Sequence, residues 1–170
     1  MKKIILLITA ALVLLNFSTA FAQDEDINKA LKSLQDRLIH NGKRLTDARG
    51  NLWAIAETIQ DENQVQAIVN INRTIIEAEL VHKFLIPTAR LSRLIREDRL
   101  KLSYKIIYDA LLESKQDLDS CYNEVQIYYP YLEKKSLRDT TDKIKEVLRD
   151  TISEIDPAIQ LLSKATGSAQ

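Results

Sequence analysis

Residues 100–128, LKLSYKIIYDALLESKQDLDSCYNEVQIY, decide the fold of this chain. Small and apolar residues recur there at spacings of three and four. Such spacing places one apolar face along a helix and polar residues on the opposite face. The stretch therefore predicts a long amphipathic helix with its core positions at Leu100, Tyr104, Ile107, Leu111, Ser114, Leu118, Cys121, Val125 and Tyr128.

The same spacing recurs in three other segments, spanning residues 27–59, 68–89 and 137–162. Glycine and proline are scarce, at three residues each, and no alternating strand pattern interrupts the helical ones. Four long helices with short connections favour an antiparallel, up-down-up-down bundle. The sequence therefore predicts an all-α four-helix bundle, and the alternative is a long three-helix bundle with corners at Gly42 and Pro87.

Three positions carry residues that interrupt helices. The apolar stripe of the first helix stays in phase across Gly42, so a weak point within an unbroken helix is expected there. Pro87 predicts a kink or break at the preceding residue, because proline removes one hydrogen bond of the helix ladder. Asp156 is expected to cap a last short helix that begins at Pro157.

The second helix has two apolar rows. One row contains Ile68, Ile71, Ile75 and His82, and Asp61 is expected to cap this helix with Gln64 in a variant of the capping box. Because apolar residues occupy two sides, we expect this helix to be the most buried of the four. The second row consists of Val69, Ile76, Leu80 and Phe84.

The first residues have the three parts of a secretory signal peptide. Two lysines precede an apolar run from Ile4 to Leu15, and Ala20-Phe21-Ala22 forms a small-x-small cleavage signal. The run is shorter than the roughly 20 residues that a spanning helix needs, although an uncleaved anchor is the alternative. The sequence predicts a signal peptide over 1–22, a bundle domain over 23–165 and a disordered tail over 166–170. The protein is accordingly expected to be periplasmic or secreted, in a bacterium.

Composition excludes some classes of function. The whole chain has 24 basic and 24 acidic residues, so removal of Lys2 and Lys3 leaves 22 against 24. This balance argues against nucleic-acid binding, which usually requires a basic excess. The mature chain contains no second apolar run long enough to span a bilayer. Cys121 is the single cysteine and lies on the core stripe, so an internal disulfide is impossible.

The two histidines are candidates for a cofactor site between helices. His40 and His82 are each 21 residues from Asp61, so a turn at Asp61 would bring them to one level of the bundle. Bundles hold metals and haem between facing helices. Bulky neighbours and the absence of a Glu-x-x-His motif argue instead for a core His82 and a solvated His40. No cofactor or metal is expected.

Two surface clusters are further candidates for binding. The topology gathers five aromatic residues toward one end of the bundle, where they either close the core or form a partner site: Trp53, Tyr122, Tyr128, Tyr129 and Tyr131. A basic cluster near the second connection is expected to be neutralised by acidic residues at Asp24–Asp26, Asp150, Glu154 and Asp156. That cluster contains Arg90, Arg93, Arg96, Arg99, Lys101 and Lys105.

No catalytic constellation is present in the sequence. There is no Gly-x-Ser-x-Gly elbow and no glycine-rich phosphate loop. We therefore expect a non-catalytic protein that binds a macromolecular partner, most simply another protein, or that self-associates. A small-molecule or cofactor carrier with its ligand between helices is the alternative, and an enzyme of unknown class is the second alternative.

Overall fold

The computed structural model of the chain describes residues 2–91 and 100–167, with side chains over 24–91 and 102–167. These residues form four helices, and no strand occurs among them. The helices are α1 (Lys2–Ala56), α2 (Glu62–Arg90), α3 (Leu100–Tyr128) and α4 (Lys135–Thr166), with a 3₁₀ turn at Tyr129–Tyr131. The predicted all-α four-helix bundle is confirmed, and the three-helix alternative is wrong.

The four helices form a square in which each one packs against two neighbours. The neighbouring pairs are α1–α2, α2–α3, α3–α4 and α4–α1. Contacts between α1 and α4 join Arg37 to Glu154 and Arg44 to Glu146, so the residue number falls on one helix as it rises on the other. The other pairs show the same opposite trend, and the bundle is therefore antiparallel throughout.

The predicted apolar stripes form the core. Leu111 of α3 and Leu148 of α4 are almost completely buried, as are their counterparts on α1 and α2. Interiors of this kind are packed as densely as organic crystals, so the four rows interlock and hold one another in place. The largest fully buried side chains on α1 are Ile27, Leu31, Leu34, Leu38, Leu45 and Leu52.

Helix α1 runs through Gly42 without a break, as the phase of its stripe predicts. A Cβ added at Gly42 would lie 3.9 Å from both Cβ and Cδ2 of His82, which is ordinary van der Waals contact. Gly42 therefore leaves a small space against α2 and is not required by the backbone. The predicted cleavage point after Ala22 falls in a part of α1 whose side chains lie outside the described residues.

Neither proline ends its helix, so the predicted breaks are wrong, whereas a kink at either proline stays a prediction. Helix α2 continues past Pro87 to Arg90, and α4 continues past Pro157 to Thr166. The lost hydrogen bond is offset because Ala89 and Leu162, which follow the two prolines, are buried in the core. Asp156 does not cap a new helix, because its carboxylate accepts from Lys115 Nζ of α3 at 2.6 Å.

The ends of the helices follow ordinary capping chemistry. Asp61 caps α2 by accepting from the backbone N–H of Gln64 at 2.8 Å, as predicted. The Gln64 side chain does not return this bond, because its oxygen accepts instead from Glu133 N of the α3–α4 connection. Gly167 ends α4 with φ +69°, the left-handed conformation that favours glycine. The predicted tail beyond it, residues 168–170, lies outside the described residues.

Among the described helices, none joins the length to the apolarity that crossing a bilayer requires.

Candidate functional site

The outer face of α2 carries a row of exposed apolar side chains, which we call the outer row. It consists of Val65, Val69, Ile76, Leu80, Phe84 and Leu91, the last at the C-cap of the helix. Leu80 is 58% exposed and Phe84 is 55% exposed. The expectation that this second apolar side of α2 is buried is therefore wrong.

The position of the outer row follows from the geometry of the bundle. A helix turns by about 100° per residue, which places the outer row on the side of α2 opposite its core residues. The core side contains Ile68, Ile71, Ile75 and Leu85, all almost completely buried. A corner helix of a square has only two neighbours, so α2 can bury one face and must leave the opposite face uncovered.

The surface beside the outer row carries few charges. Arg73 lies within the row, between Val69 and Ile76, and it pairs at 3.6 Å with Glu77 beside the row and approaches Glu124 of α3. Lys83 lies on the side toward α1 and has no ion-pair partner among the described residues. Exposed apolar side chains gathered along one helix face are a feature of interaction sites.

A groove of about 300 Å³ runs between α1 and α2 beside the outer row. Its walls are mainly apolar, and its floor reaches the edge of the buried His82 ring next to Gly42. Lys43 and Lys83 stand on opposite rims, and neither has an ion-pair partner among the described residues. The complete lining is Leu38, Ile39, Gly42, Lys43, Thr46, Asp47, Glu79, His82, Lys83 and Ile86.

Behind the groove, His82 belongs to a buried polar network that joins three helices. Its Nδ1 lies 2.8 Å from the carbonyl of Ala78, and its Nε2 lies 3.1 Å from Thr151 Oγ1 of α4. Asn41 of α1 donates its amide to Thr151 at 3.1 Å and to Glu154 at 2.9 Å. These bonds satisfy polar groups that would otherwise destabilise the core.

The network determines the protonation of His82. A carbonyl only accepts, so Nδ1 must donate to Ala78, and the one hydroxyl hydrogen of Thr151 is shared between the Val147 carbonyl at 2.8 Å and Nε2 of the neutral ring at 3.1 Å. Burial lowers the pKa of His82, opposed by the Ala78 hydrogen bond and by the charge of Glu79. The neutral ring is therefore favoured, and both of its nitrogens are engaged within the fold.

The two histidines do not form a pair. Gly42 is the α1 residue that lies against His82, whereas His40 is exposed. Contact with His82 therefore falls at Gly42, two residues later on α1 than equal offsets from Asp61 predict. The described residues contain no group of three His, Cys, Asp or Glu side chains placed to hold a metal ion.

The aromatic residues predicted at one end are divided between several environments. Tyr122 accepts from Arg149 Nη2 at 2.6 Å, and Lys145 Nζ lies 4.1 Å from the centre of the Tyr129 ring. These contacts join α3 to α4. Trp53 and Tyr131 are exposed, while Tyr122, Tyr128 and Tyr129 pack against the core. The polar depression of about 380 Å³ at this end contains none of the five; its lining is Thr58, Ile59, Gln60, Asp61, Gln64, Glu133 and Lys134.

The predicted neutralisation of the basic cluster stays a prediction, because most of the cluster lies outside the residues whose side chains are described. The acidic groups expected to face it have other partners: Asp24 accepts from Tyr104, Asp150 from Arg44 and Glu154 from Asn41. Within the cluster, Lys105 pairs with Asp109 of its own helix, and Arg90 reaches the Gln35 side chain at 2.8 Å. The remaining members lie outside the residues whose side chains are described: Arg93, Arg96, Arg99 and Lys101.

Cys121 is buried, as its place on the core stripe predicts. Burial, and secondly the nearby carboxylates of Glu77, Glu124 and Asp117, raise the pKa of its thiol to about 12. Because the thiolate is the nucleophilic form, this thiol is inert at neutral pH.

Comparison with protein-family models and with curated protein sequences finds no match to this chain. We therefore infer function from the surface residues that the structure describes. The sequence contains the signal for the outer row, since Val69, Ile76, Leu80 and Phe84 stand out as a second stripe. What was missed is that a helix with two neighbours cannot bury two opposite faces.

Proposed function

We propose that this protein is an exported, non-catalytic binding protein that acts by docking a helical macromolecular segment along the outer row of α2. The observation that carries the proposal is the exposure of Ile76, Leu80 and Phe84 on the face opposite the core. A helix laid along this face would bury its own apolar side there, as in other helix-to-helix recognition.

The length of the outer row supports a helical partner. From Val65 to Leu91 the row spans about 39 Å at 1.5 Å per residue, which corresponds to a helix of several turns. Arg73, paired with Glu77, interrupts the row between Val69 and Ile76, whereas the stretch from Ile76 through Leu80 to Phe84 is apolar, and charged groups are depleted at the centres of protein interfaces in general. The state of Cys121 and His82 supports a non-catalytic role. The Cys121 thiol is protonated, and both ring nitrogens of His82 are engaged in hydrogen bonds within the fold.

A site-specific photo-crosslinking experiment tests the docking proposal. A photoreactive residue placed at Leu80 in cells should give a discrete crosslinked protein species in the envelope fraction. The matched control is Ile127, which is 62% exposed on the outer face of α3 and should give no such species. Absence of an adduct at Leu80, or an equal adduct at Ile127, would contradict docking along α2.

Export is tested by mass. The signal pattern supports cleavage after Ala22, so the protein from the envelope fraction should begin at Gln23. Retention of residues 1–22 in the intact mass would overturn both cleavage and the periplasmic or secreted location.

A second function, carriage of a small molecule, is favoured by the groove between α1 and α2. Its apolar walls and the unpaired Lys43 and Lys83 on its rims suit a molecule with an apolar body and an anionic group. Decanoate, titrated into the delipidated protein, is a suitable probe. The carrier function predicts saturable binding that Gly42→Leu abolishes, because a leucine side chain would occupy the groove; absence of binding would remove this function.

A further inference from the structure

The groove between α1 and α2 has three zones that follow one another along the helices. At one end its walls are apolar and consist of Leu38 and Ile39 of α1 and Ile86 of α2. One helical turn further along α1, Lys43 stands on one rim, and Lys83 of the antiparallel α2 stands on the other. An apolar zone is therefore followed directly by a cationic zone.

The third zone is acidic. Asp47 lines the groove one turn after Lys43 on α1. Its neighbour Thr46 has its Oγ1 3.0 Å from Glu79 Oε1, which places that carboxylate at the same level of the groove. Glu79 also pairs with Arg49 at 2.9 Å, so its charge is balanced within the fold. Asp47 is exposed and has no ion-pair partner among the described residues, so it supplies the open negative charge of this zone.

The charged side chains of the groove do not neutralise one another. Lys43 and Lys83 have no ion-pair partner in the part of the chain whose side chains are described. Lys43 and Asp47 are four residues apart on α1, but a lysine that precedes the acidic residue is the less favourable order for a helical ion pair. The groove therefore presents two ammonium groups and one carboxylate, in a fixed order, to a bound molecule.

We propose that the ligand of this groove is a lysophospholipid with a zwitterionic headgroup, in which an ammonium group follows the phosphate. The inference rests on the carrier function proposed for the groove and names its ligand class. The single acyl chain then lies in the apolar zone, the phosphate between Lys43 and Lys83, and the ammonium group against Asp47.

The spacing of the zones matches the order of groups in such a lipid. Lys43 and Asp47 are separated by about 6 Å along the helix, at 1.5 Å per residue. An ethanolamine headgroup carries its ammonium across a short ethylene bridge from the phosphate, so the two charges can reach the two zones together. A fatty acid fills the first two zones but leaves Asp47 without a counter-charge. An α-amino acid carries both charges on one carbon and cannot spread them along the groove.

The size of the groove favours a single chain. Its volume of about 300 Å³ lies at the lower limit of small-molecule sites. Ile39 in the apolar zone is 48% exposed, so one acyl chain lying there would cover apolar surface that is now open to water. The groove is bounded by only two helices, and one chain along it leaves the acidic zone free for the headgroup.

Calorimetric titration of the delipidated protein with two lipids tests the ligand class. Both carry one decanoyl chain and are used below their micelle-forming concentrations. Lysophosphatidylethanolamine has the ammonium group, whereas lysophosphatidylglycerol has the same phosphodiester charge and a neutral headgroup. The first should bind about two- to fivefold more tightly, which is the range of an exposed ion pair.

Asp47→Asn should remove this preference, because it removes the carboxylate that meets the ammonium group. The matched control is Asp119→Asn, which makes the same change at an exposed position of α3 and should keep the preference. Lys83→Gln should weaken the binding of both lipids by a similar factor, since both place a phosphodiester between the lysines.

Equal affinities of the parent protein for the two lipids, or a preference that persists in Asp47→Asn, would overturn the proposed ligand class. The carrier function fails separately. If decanoate binds saturably and the two lysophospholipids show no preference, only the ligand class is wrong. If neither decanoate nor either lipid binds, the carrier function is wrong as well.

Discussion

Helices α2 and α4 pack into the same core but present different surfaces to solvent. Along α4, whose side chains are all described, the buried residues share one face, and no large apolar side chain is strongly exposed. Along α2, apolar side chains occupy both the core face and the outer face. Folding accounts for the pattern of α4, whereas the exposed row on α2 lies outside the core, and the proposed docking would account for it.

The largest difference in unfolding free energy is expected between substitutions on the core face and on the outer face of α2. Ile75 is 1% exposed and Ile76 is 39% exposed, although they are adjacent in sequence. Ile75→Asp should lower the free energy of unfolding by more than about 4 kcal/mol, because a charge would be buried without a partner. Ile76→Asp should change it by less than about 0.5 kcal/mol, as surface substitutions usually do.

Urea unfolding of both variants at low protein concentration measures this difference. Similar losses at the two positions would mean that the outer row is part of the folding core, and the distinction between α2 and α4 would disappear.

The next largest effect concerns the buried polar network. Thr151→Val removes the hydroxyl that bonds both Asn41 and His82, and it should cost about 1–3 kcal/mol because His82 Nε2 is left buried without a partner. Thr141→Val is the matched control on α4. The Thr141 hydroxyl is buried with no hydrogen-bond partner among the described residues, so its loss should be neutral or stabilising. Equal losses in the two variants would contradict the network.

A third effect depends on pH. Burial places the pKa of His82 in the folded protein below its ordinary value of about 6.5. Well above pH 6.5 the His82 ring is neutral in both the folded and the unfolded protein, so the protein has its full stability. As the pH falls below 6.5, the unfolded chain binds a proton first, and stability should decline by up to about 1.4 kcal/mol per pH unit until the folded pKa is reached.

Chemical denaturation between pH 7.5 and 5.5 measures this decline. His82→Gln should remove most of it, and His40→Gln should not, because His40 is exposed. A decline that persists unchanged in His82→Gln would assign the proton uptake to other groups.

The smallest effect lies at the groove. Gly42→Ala should stabilise the protein by about 0.5–1 kcal/mol, because alanine lowers the entropy cost of the helix interior and its Cβ fits against His82. Gly50→Ala, whose Cβ would contact nothing within 4 Å, provides the reference for the helix contribution alone. Thermal unfolding compares the two; a loss of stability in Gly42→Ala would show that the backbone requires glycine there.

The sequence predicted much of the fold because its helical periodicity is strong. The stripe containing Leu111 and the cap at Asp61 both appear as predicted. The breaks predicted at Pro87 and Pro157 were wrong because the effect of proline was judged from local sequence. The burial of Ala89 and Leu162 beyond the prolines depends on tertiary packing, which local sequence does not show. The prediction that α2 buries both apolar faces was wrong for the same reason. Periodicity identifies the apolar faces of a helix but does not show how many neighbouring helices cover them. The partners of Thr151 depend on inter-helix register, which no single stripe contains.

In the proposed function the outer row of α2 is covered by a partner in the cell envelope, whereas Ile127 on the outer face of α3 stays exposed. Hydroxyl-radical footprinting of the protein in an envelope preparation and in dilute purified form measures this directly. The account predicts that labelling of Leu80 and Phe84 falls severalfold in the envelope, while labelling of Ile127 on α3 stays the same. Equal labelling of Leu80 and Phe84 in both preparations, or an equal fall at Ile127, would contradict it.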